Sequence, residues 1–304
     1  LSHRPEVCSV LSNLISEYTY KDGEFRVTSK MKKDFDEHGY IMVRNLLDAE
    51  ELQKVKQVLE DNDEIIKNAF GVADGTGRES KMALWSHPGS DVTGMVARCN
   101  KVAETCEKLL DGEVYHYHTK LMMKNANEGG SHLWHQDYGY WYKNGCLYPD
   151  MMTVFISIDR CSKENGCLQI LRGSQKCGRI EHVMVAGQTG ADLDRVKEIE
   201  KVCPLEHVEM EPGDALFFHC NLLHTSTGNF SPFRRWAFLC AYNKASNNPV
   251  IVHHHPQYTP LVKMPNNSIR ECQNVTDMSG KEFMNPKNDR TIRVEKNVKE
   301  EAEK

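Results

Sequence analysis

The sequence has little of what marks membrane, nucleic-acid-binding and repeat proteins. Among its 304 residues, no apolar run approaches the roughly 18 residues that a membrane-spanning helix needs. The formal net charge of −5 gives no reason to expect binding to nucleic acid or to an anionic membrane surface. No repeat at a fixed period is evident. We therefore expect a globular protein with neither a membrane span nor a nucleic-acid partner.

The eleven cysteines lack the spacing of a metal-binding or disulfide framework. None belongs to a Cys-x2-Cys pair, and Cys161 and Cys167 are separated by five residues. Scattered thiols in a chain of this length favour an intracellular, cytoplasmic protein, and a secreted protein with a few disulfides is the alternative. The sequence begins at Leu1, so the natural N-terminus and any targeting peptide can lie upstream.

The apolar pattern changes from helical spacing to short strands near residue 114. Asp48 is predicted to cap a helix, with Glu51 completing a capping box, and a second helical pattern covers residues 91–110. Later apolar segments, separated by turns that contain Gly, Asn and Pro, predict strands. These strands are expected at residues 114–124, 153–158, 167–171, 207–210, 215–219 and 236–242. Helices followed by strands predict an α+β chain with a β-sandwich or barrel core.

Three regions are expected along the chain. Residues 1–30 are polar and irregular and form an N-terminal extension. Residues 31–250 form the folded domain, in which the composition of residues 182–203 predicts a helical insertion between strands. Residues 251–304 are a polar C-terminal extension, and its charged end, Glu295–Lys304, is expected to be frayed or disordered.

His135 and Asp137, joined by the distant His224, form the most informative pattern. Residues two apart on a strand point to the same face, so one ion could contact both side chains. His224 follows the strand predicted at residues 215–219 and could complete the site from across a barrel. Two histidines and one carboxylate on one side of an ion are typical of non-haem Fe(II) oxygenases, in which the other side stays open for O2 and a co-substrate. The three residues are therefore the predicted metal ligands and catalytic centre.

The remaining histidines have simpler interpretations. His132 lies three residues before His135 and is expected to face away from the metal. His219 alternates with apolar neighbours and is expected to be packed. The run at residues 253–255 is expected to be an exposed loop.

Several segments between residues 31 and 248 together resemble the phytanoyl-CoA dioxygenase family, and most closely its ectoine-hydroxylase-like branch. The distal histidine follows a Pro-Gly-Asp strand, and the HxD pair lies in a tryptophan-bearing segment. The matching segments are Phe35-x3-Gly39-Tyr40-Ile41-x-Val43, Trp134-His135-Gln136-Asp137-Tyr138 with Trp141, Glu164-Asn165-Gly166-Cys167-Leu168 with Arg172-Gly173-Ser174, Pro212–Phe218 leading to His224, and Asn229-x-Ser231-Pro232 with Arg235 and Tyr242-Asn243.

The resemblance implies a double-stranded β-helix core of the jelly-roll or cupin-like type, with flanking N-terminal helices. It also implies Fe(II), 2-oxoglutarate as co-substrate, and O2. In the family, an arginine eleven residues after the distal histidine binds the distal carboxylate of 2-oxoglutarate, and here that residue is Arg235. A guanidinium matches a carboxylate bidentately, and the neighbouring Arg234 would face the opposite side of a strand. Ser226 is a weaker candidate for the same carboxylate.

The strand before the HxD pair carries a second candidate set. His118, Lys120 and Met122 alternate and so share one face. If that face is inward, Lys120 could bind a carboxylate of 2-oxoglutarate or of the substrate, and a solvated lysine is the alternative. The resemblance suggests that ectoine hydroxylases carry glutamine at the position of His118 and asparagine at that of Met122, which argues against ectoine itself as the substrate.

The expected function is hydroxylation of a small, polar or zwitterionic metabolite. Trp134, Tyr138 and Trp141, together with His118, are the predicted substrate contacts, because an aromatic wall would bind a cationic or zwitterionic molecule. The presence of Asp137 argues for hydroxylation or desaturation, since family members that halogenate lack this carboxylate. An acyl-CoA or lipid hydroxylase, and a non-catalytic metal-binding jelly roll, are the alternatives. A homodimer is compatible with the sequence.

Overall fold

The computed structural model describes residues 14–185 and 188–288. The predicted frayed end, Glu295–Lys304, lies outside the described residues. The strands are β1 (Glu17–Thr19), β2 (Tyr40–Arg44), β3 (Phe70–Ala73), β4 (Glu79–Trp85), β5 (Val114–Lys124), β6 (His132–His135), β7 (Met151–Ser157), β8 (Leu168–Leu171), β9 (His182–Val185), β10 (Gln188–Ala191), β11 (Leu205–Val208), β12 (Ala215–His219), β13 (His224–Ser226) and β14 (Arg235–Lys244). The helices are α1 (Ser29–His38), α2 (Ala49–Asp61), α3 (Asp63–Lys67), α4 (Val92–Arg98), α5 (Asn100–Leu110), α6 (Asp137–Trp141), α7 (Leu193–Glu200) and α8 (Ser268–Glu271).

Two sheets form the core of the protein. The larger sheet has the order β1-β2-β12-β7-β14-β5-β4-β3, and the smaller sheet has the order β11-β8-β13-β6. Neighbouring strands are antiparallel except for the parallel pair β1 and β2. This arrangement is the double-stranded β-helix, or jelly roll, that the resemblance implies, and the predicted α+β class is confirmed. The strands expected at residues 114–124 and 215–219 have the predicted bounds.

The larger sheet separates an outer core from an inner core because side chains alternate along each strand. In β2, Ile41 and Val43 pack into the outer core with the helices, whereas Tyr40 and Met42 pack between the sheets. The helices therefore cover the outer face of the larger sheet. The inner face is left to the second core and to the functional site.

The predicted cap of α2 is present. Asp48 accepts hydrogen bonds from the backbone of Glu50 and Glu51, and the Glu51 side chain accepts from the Asp48 backbone N–H. Val55 and Leu59 on the same helix are fully buried in the outer core. The capping box and the spaced apolar residues thus fix both the start of the helix and the face that it buries.

Two predictions of secondary structure are wrong. The insertion expected to be helical at residues 182–203 begins with the antiparallel hairpin of β9 and β10, and only Leu193–Glu200 is helical. The composition of the whole segment favours a helix, but pairing between β9 and β10 makes the first part of it a hairpin. The strand expected at residues 207–210 lies at Leu205–Val208, because its register is set by pairing with β8.

Residues 251–288 pack closely against the domain. Ile269 and Met278 are buried in the outer core. The buried ammonium of Lys281 lies 2.7 Å from Asp91 Oδ1 and 2.6 Å from the carbonyl oxygen of Pro88. Breaking a buried ion pair strongly destabilises a folded protein, so this contact holds the segment against α4.

Among the described residues, no helix is long and apolar enough to span a membrane.

Candidate metal centre and active site

His135, Asp137 and His224 come together between the two sheets. One ligand atom from each residue lies within 4.8 Å of the others, and the distance from His224 Nε2 to Asp137 Oδ1 is 4.0 Å. His135 is the last residue of β6 and pairs in register with His224, the first residue of β13. Pairing between two strands of the smaller sheet therefore brings together histidines that are 89 positions apart.

Asp137 reaches the site by a route that strand alternation did not predict. It is the first residue of α6, and Gln136 is the cap between the strand and the helix. The chain thus leaves the sheet between the two ligands, instead of continuing as a strand through both. The proximity of His135 and Asp137 was predicted for the wrong geometric reason.

Hydrogen bonds hold this strand-to-helix junction in place. The Gln136 side chain donates to the carbonyl oxygens of Gly178 and Asn221, each at 2.8 Å, and accepts from Ile180 N–H at 2.7 Å. The Gln136 backbone N–H donates to His182 Nε2 at 3.0 Å. Because Gln136 is fully buried, these bonds form without competition from water. They fix the residue that separates two of the ligands.

The two histidines are oriented by backbone carbonyls. His135 Nδ1 lies 2.7 Å from the carbonyl oxygen of Leu133, and His224 Nδ1 lies 2.9 Å from that of Leu222. A carbonyl oxygen only accepts, so each Nδ1 carries the proton and each Nε2 keeps a lone pair. That tautomer is the one in which a histidine binds a metal ion through Nε2.

The third ligand is an oriented carboxylate. Thr153 in β7 donates a hydrogen bond of 2.6 Å to Asp137 Oδ2. Burial raises the pKa of Asp137, but the charge of Lys120, the neighbouring imidazoles and the hydrogen bond from Thr153 together outweigh burial and lower the pKa below its ordinary value. Burial lowers the pKa of His135 well below its usual value and also lowers that of His224. Two neutral imidazoles and an ionised carboxylate suit a divalent transition-metal ion.

The three residues open onto a cavity of about 290 Å³. Its wall contains Arg235, the first residue of β14, which is only 2% exposed. The Arg235 guanidinium makes no ion pair within residues 14–185 and 188–288, and its Nε atom has no hydrogen-bond partner there. Arg234 faces the other way and pairs with Glu60 and Asp159. Arg235 thus points into the cavity and Arg234 points away from it, as the alternation of side chains along a strand predicts.

Ser226 and the unpredicted Lys124 lie at the same end as Arg235. Arg235 pairs in register with Lys124, whose ammonium donates to Ser226 Oγ at 2.8 Å and to the carbonyl oxygen of Thr227. Burial and the neighbouring Arg235 lower the pKa of Lys124 well below its usual value. The alternation that includes His118 and Lys120 extends to position 124, so the sequence contained the signal for this residue.

The inward face of β5 is as predicted. His118, Lys120 and Met122 all line the cavity. His118 is 2% exposed, and neither of its ring nitrogens has a hydrogen-bond partner among the described residues. Its ring packs against Trp141, with centroids 5.6 Å apart. Burial and the neighbouring His255 lower the pKa of His118 well below its usual value, so the ring is neutral.

Two of the predicted substrate contacts do not reach the cavity. Trp134 packs against the separate apolar cluster that contains Ile180, and Tyr138 is buried beside Cys146. Trp134 immediately precedes His135 on β6, so strand alternation turns it to the opposite face. Of the predicted aromatic contacts, Trp141 lines the cavity. Neither Trp134 nor Tyr138 lines the cavity among the described residues, so neither is kept among the proposed substrate contacts.

The interpretation of the other histidines also needs correction. His132 lines the cavity, because an irregular register between β6 and β13 places an extra residue in β6 and turns both His132 and His135 inward. His254 and His255 line the cavity too, and His255 is only 7% exposed. The run at residues 253–255 is therefore not simply an exposed loop. His219 packs against Phe35, as expected.

An apolar wall completes the cavity from distant parts of the chain. Phe70 and Val72 contribute from β3, Met82 and Leu84 from β4, and Met284 from the C-terminal segment. These residues come from outside the sequence motifs that carry the family resemblance. The residues of β3 and β4 lie beside Lys120 and Met122 because β4 pairs with β5 and β3 pairs with β4.

A jelly roll with two imidazoles and a carboxylate around an open cavity defines the class of non-haem Fe(II) oxygenases. The chain belongs to the phytanoyl-CoA dioxygenase (PhyH) family, whose model matches residues 35–237. A similar relative is the L-proline trans-4-hydroxylase of Streptomyces griseoviridis, at 27% identity over 260 residues, or 76% of this chain and 90% of that protein. The ectoine dioxygenase of Sphingopyxis alaskensis is 26% identical over 240 residues, or 73% and 77% of the two chains.

A solved structure supports the same fold. EctD from S. alaskensis, determined with 2-oxoglutarate and 5-hydroxyectoine, matches with a TM-score of 0.66 at 20% identity. The match covers 82% of this chain and 92% of that chain. The resemblance drawn from the sequence motifs is thereby confirmed.

Proposed function

We propose that this protein is an Fe(II)- and 2-oxoglutarate-dependent dioxygenase that hydroxylates a small polar metabolite. The observation that carries the proposal is Arg235, a buried guanidinium without an acidic partner in the cavity that holds His135, Asp137 and His224. A buried cation without a counter-ion is costly, so its presence here argues for an anionic ligand. The distal carboxylate of 2-oxoglutarate supplies that charge.

Each part of the chain has a separate task in this reaction. His135, Asp137 and His224 would hold the ferrous ion, and Thr153 would keep one carboxylate oxygen of Asp137 turned away from it. When bound, iron and 2-oxoglutarate supply the activation of O2 that hydroxylation of a C–H bond requires. The apolar wall limits the access of water to that chemistry.

Ser226 is suited to assist Arg235. Its Oγ accepts a hydrogen bond from the Lys124 ammonium, so its own proton is free to be donated elsewhere. A carboxylate beside Arg235 would then receive hydrogen bonds from both a guanidinium and a hydroxyl. Charge-assisted bonds of this kind are about twice as strong as neutral ones.

The cavity and the relatives both favour a small substrate. At about 290 Å³ the cavity lies at the lower end of the range for ligand pockets. The similar relatives are named for proline and ectoine, which are small polar molecules. Among the described residues, Lys120 and Arg235 are the only cations in the cavity wall, so no cluster of basic residues there favours the alternative of an acyl-CoA or lipid substrate. The retained Asp137 favours hydroxylation over halogenation.

An intracellular location and a homodimer remain proposals as well. The ten cysteines within the described residues are all free, which supports a reducing compartment. The net charge of −5 supports the absence of a nucleic-acid partner.

Succinate formation tests the proposed function. Purified protein supplied with Fe(II), 2-oxoglutarate and O2 should release succinate slowly even without a substrate. Replacing His135 by alanine should abolish that release and lower the bound iron. If the wild-type protein consumes no 2-oxoglutarate, and His135→Ala retains the metal content of the wild type, the proposal fails and a non-catalytic jelly roll becomes the better interpretation.

A further inference from the structure

We propose that the substrate carries a carboxylate and that Lys120 is the residue that binds it. This inference rests on the proposed function and names the chemical class of its substrate. It replaces the expectation of an aromatic wall for a cationic group, since two of the predicted aromatic residues face other parts of the fold.

The cavity has more positive than negative charge in its wall. Lys120 and Arg235 are its cations, and Asp137 is its only acid among the described residues. Asp137 is already occupied, because Thr153 binds one of its oxygens and the other faces His224. Lys120 forms no ion pair or hydrogen bond with any residue in 14–185 or 188–288. Asp137 is thus the one acid that shares the cavity with Lys120 among the described residues, and Lys120 makes no direct contact with it.

Lys120 and Arg235 lie at different levels of the cavity. Arg235 is level with Lys124, which is four residues further along β5 than Lys120 and hence about 13 Å away along the strand. Thr153, which binds Asp137, is level with His118 across β14, and His118 is only two residues from Lys120 on β5. One cation thus lies at the end of the cavity remote from the metal site, and the other lies close to it.

The balance of charges in the cavity indicates the charge of the substrate. With a divalent metal ion and the doubly negative 2-oxoglutarate in place, Lys120, Arg235 and Asp137 leave the cavity with one positive charge in excess, and any charge on the neighbouring Lys124 ammonium adds to that excess. His118 and His255 do not change this balance, because burial keeps the pKa of both well below the usual value. A carboxylate would neutralise the excess charge. A cationic substrate would find no acid to pair with.

The remaining cavity wall indicates that the rest of the substrate is apolar. Phe70, Val72, Met82 and Leu84 line it with apolar surface on the two strands that follow β5 towards the sheet edge. Leu84 pairs in register with Lys120 itself. A molecule whose carboxylate contacts Lys120 would therefore place its hydrocarbon part against β3 and β4, within a volume suited to a small acid or amino acid.

The test compares acids with their own amides. Wild-type protein loaded with Zn(II) and 2-oxoglutarate is titrated calorimetrically with L-proline, pentanoate, hexanoate and 3-phenylpropanoate, and with the four corresponding primary amides. At least one acid should bind ten-fold or more tightly than its amide. Binding of no acid, or equal binding of acid and amide throughout, overturns the proposal.

Three variants locate the effect. Lys120→Met should weaken binding of the acid at least ten-fold and leave 2-oxoglutarate affinity within two-fold. Lys120→Arg should retain most of the affinity for the acid, and its melting curve checks that the fold is intact. Lys81→Met is the matched control, because Lys81 is exposed on β4 and points away from the cavity. If Lys120→Met weakens 2-oxoglutarate instead, Lys120 binds the co-substrate and the proposal is wrong.

Failure here is distinguishable from failure of the proposed function. Succinate release without added substrate depends on the metal ligands and Arg235, and it does not require Lys120. A protein that turns over 2-oxoglutarate but binds neutral amides as well as acids would keep its proposed function and lose this inference.

Discussion

Replacing Arg235 by methionine should weaken 2-oxoglutarate binding and stabilise the unliganded protein. The first effect follows because the guanidinium and its carboxylate are expected to form a desolvated pair. Truncating one partner of such a pair costs about 2–4 kcal/mol, which is about 30- to 1,000-fold in Kd. The second effect follows because Arg235 is 2% exposed and has no acidic partner within the described residues.

The expected stabilisation has a definite size. Burying a cation without a counter-ion costs several kcal/mol, and methionine fills a similar space without that penalty. We expect the free energy of unfolding without ligand to rise by about 1–3 kcal/mol. For a chain of this length that corresponds to a rise in Tm of about 2 °C for each kcal/mol.

Two measurements check these expectations. Anaerobic titration of metal-loaded protein gives the Kd for 2-oxoglutarate, and thermal unfolding without ligand gives Tm. Arg234→Met is the matched control, since Arg234 pairs with Glu60 and Asp159 outside the cavity and should leave the Kd unchanged. An unchanged Kd in Arg235→Met, or a Tm that falls, would refute the assignment of Arg235 to an anionic ligand.

Three further predictions concern the residues that support the site and the fold. Thr153→Val removes the hydrogen bond of 2.6 Å to Asp137, so Fe(II) affinity should fall about 10- to 100-fold while Tm changes little; an unchanged affinity in anaerobic iron titrations would contradict this. Lys281→Met should lower the free energy of unfolding by about 3–5 kcal/mol in denaturant titrations, and adding Asp91→Asn should recover part of the loss, because asparagine removes the unpaired charge but keeps the cap of α4. Burial lowers the pKa of His116 to about 3, so the unfolded chain binds a proton first as pH falls below about 6.5. Stability attributable to His116 is therefore present above pH 6.5 and is lost progressively down to pH 3, and acid-unfolding curves of His116→Gln should lack that component.

Strand alternation accounts for much of what could be predicted from the sequence. Period-two spacing correctly grouped His118, Lys120 and Met122 on one inward face, and it correctly separated Arg235 from Arg234. These predictions succeed because β5 and β14 are long and paired on both sides, so their side-chain directions follow from position alone.

The errors at Trp134 and Asp137 arise where strand alternation was not applied or does not hold. Trp134 was expected beside the substrate because it adjoins His135, yet neighbours on a strand face opposite sides. The position of Asp137 depends on the junction at Gln136, whose partners Gly178 and Asn221 are more than 40 residues away. Such contacts leave no local pattern, so short-range periodicity cannot find them.

The inner face of β5 shows how a site of this kind could be recognised without a structure. A central strand covered on both faces should be apolar throughout, and the outward residues Leu121 and Met123 obey that rule. The inward positions instead carry His118, Lys120 and Lys124. Burying His118 and Lys124 fully, and Lys120 in part, costs free energy that packing alone would not recover, so these residues argue for ligands that enter the cavity. Because Lys124 lies at the level of Arg235 and Lys120 lies nearer the metal ligands, the order of cations along one strand separates the co-substrate end of the cavity from the substrate end.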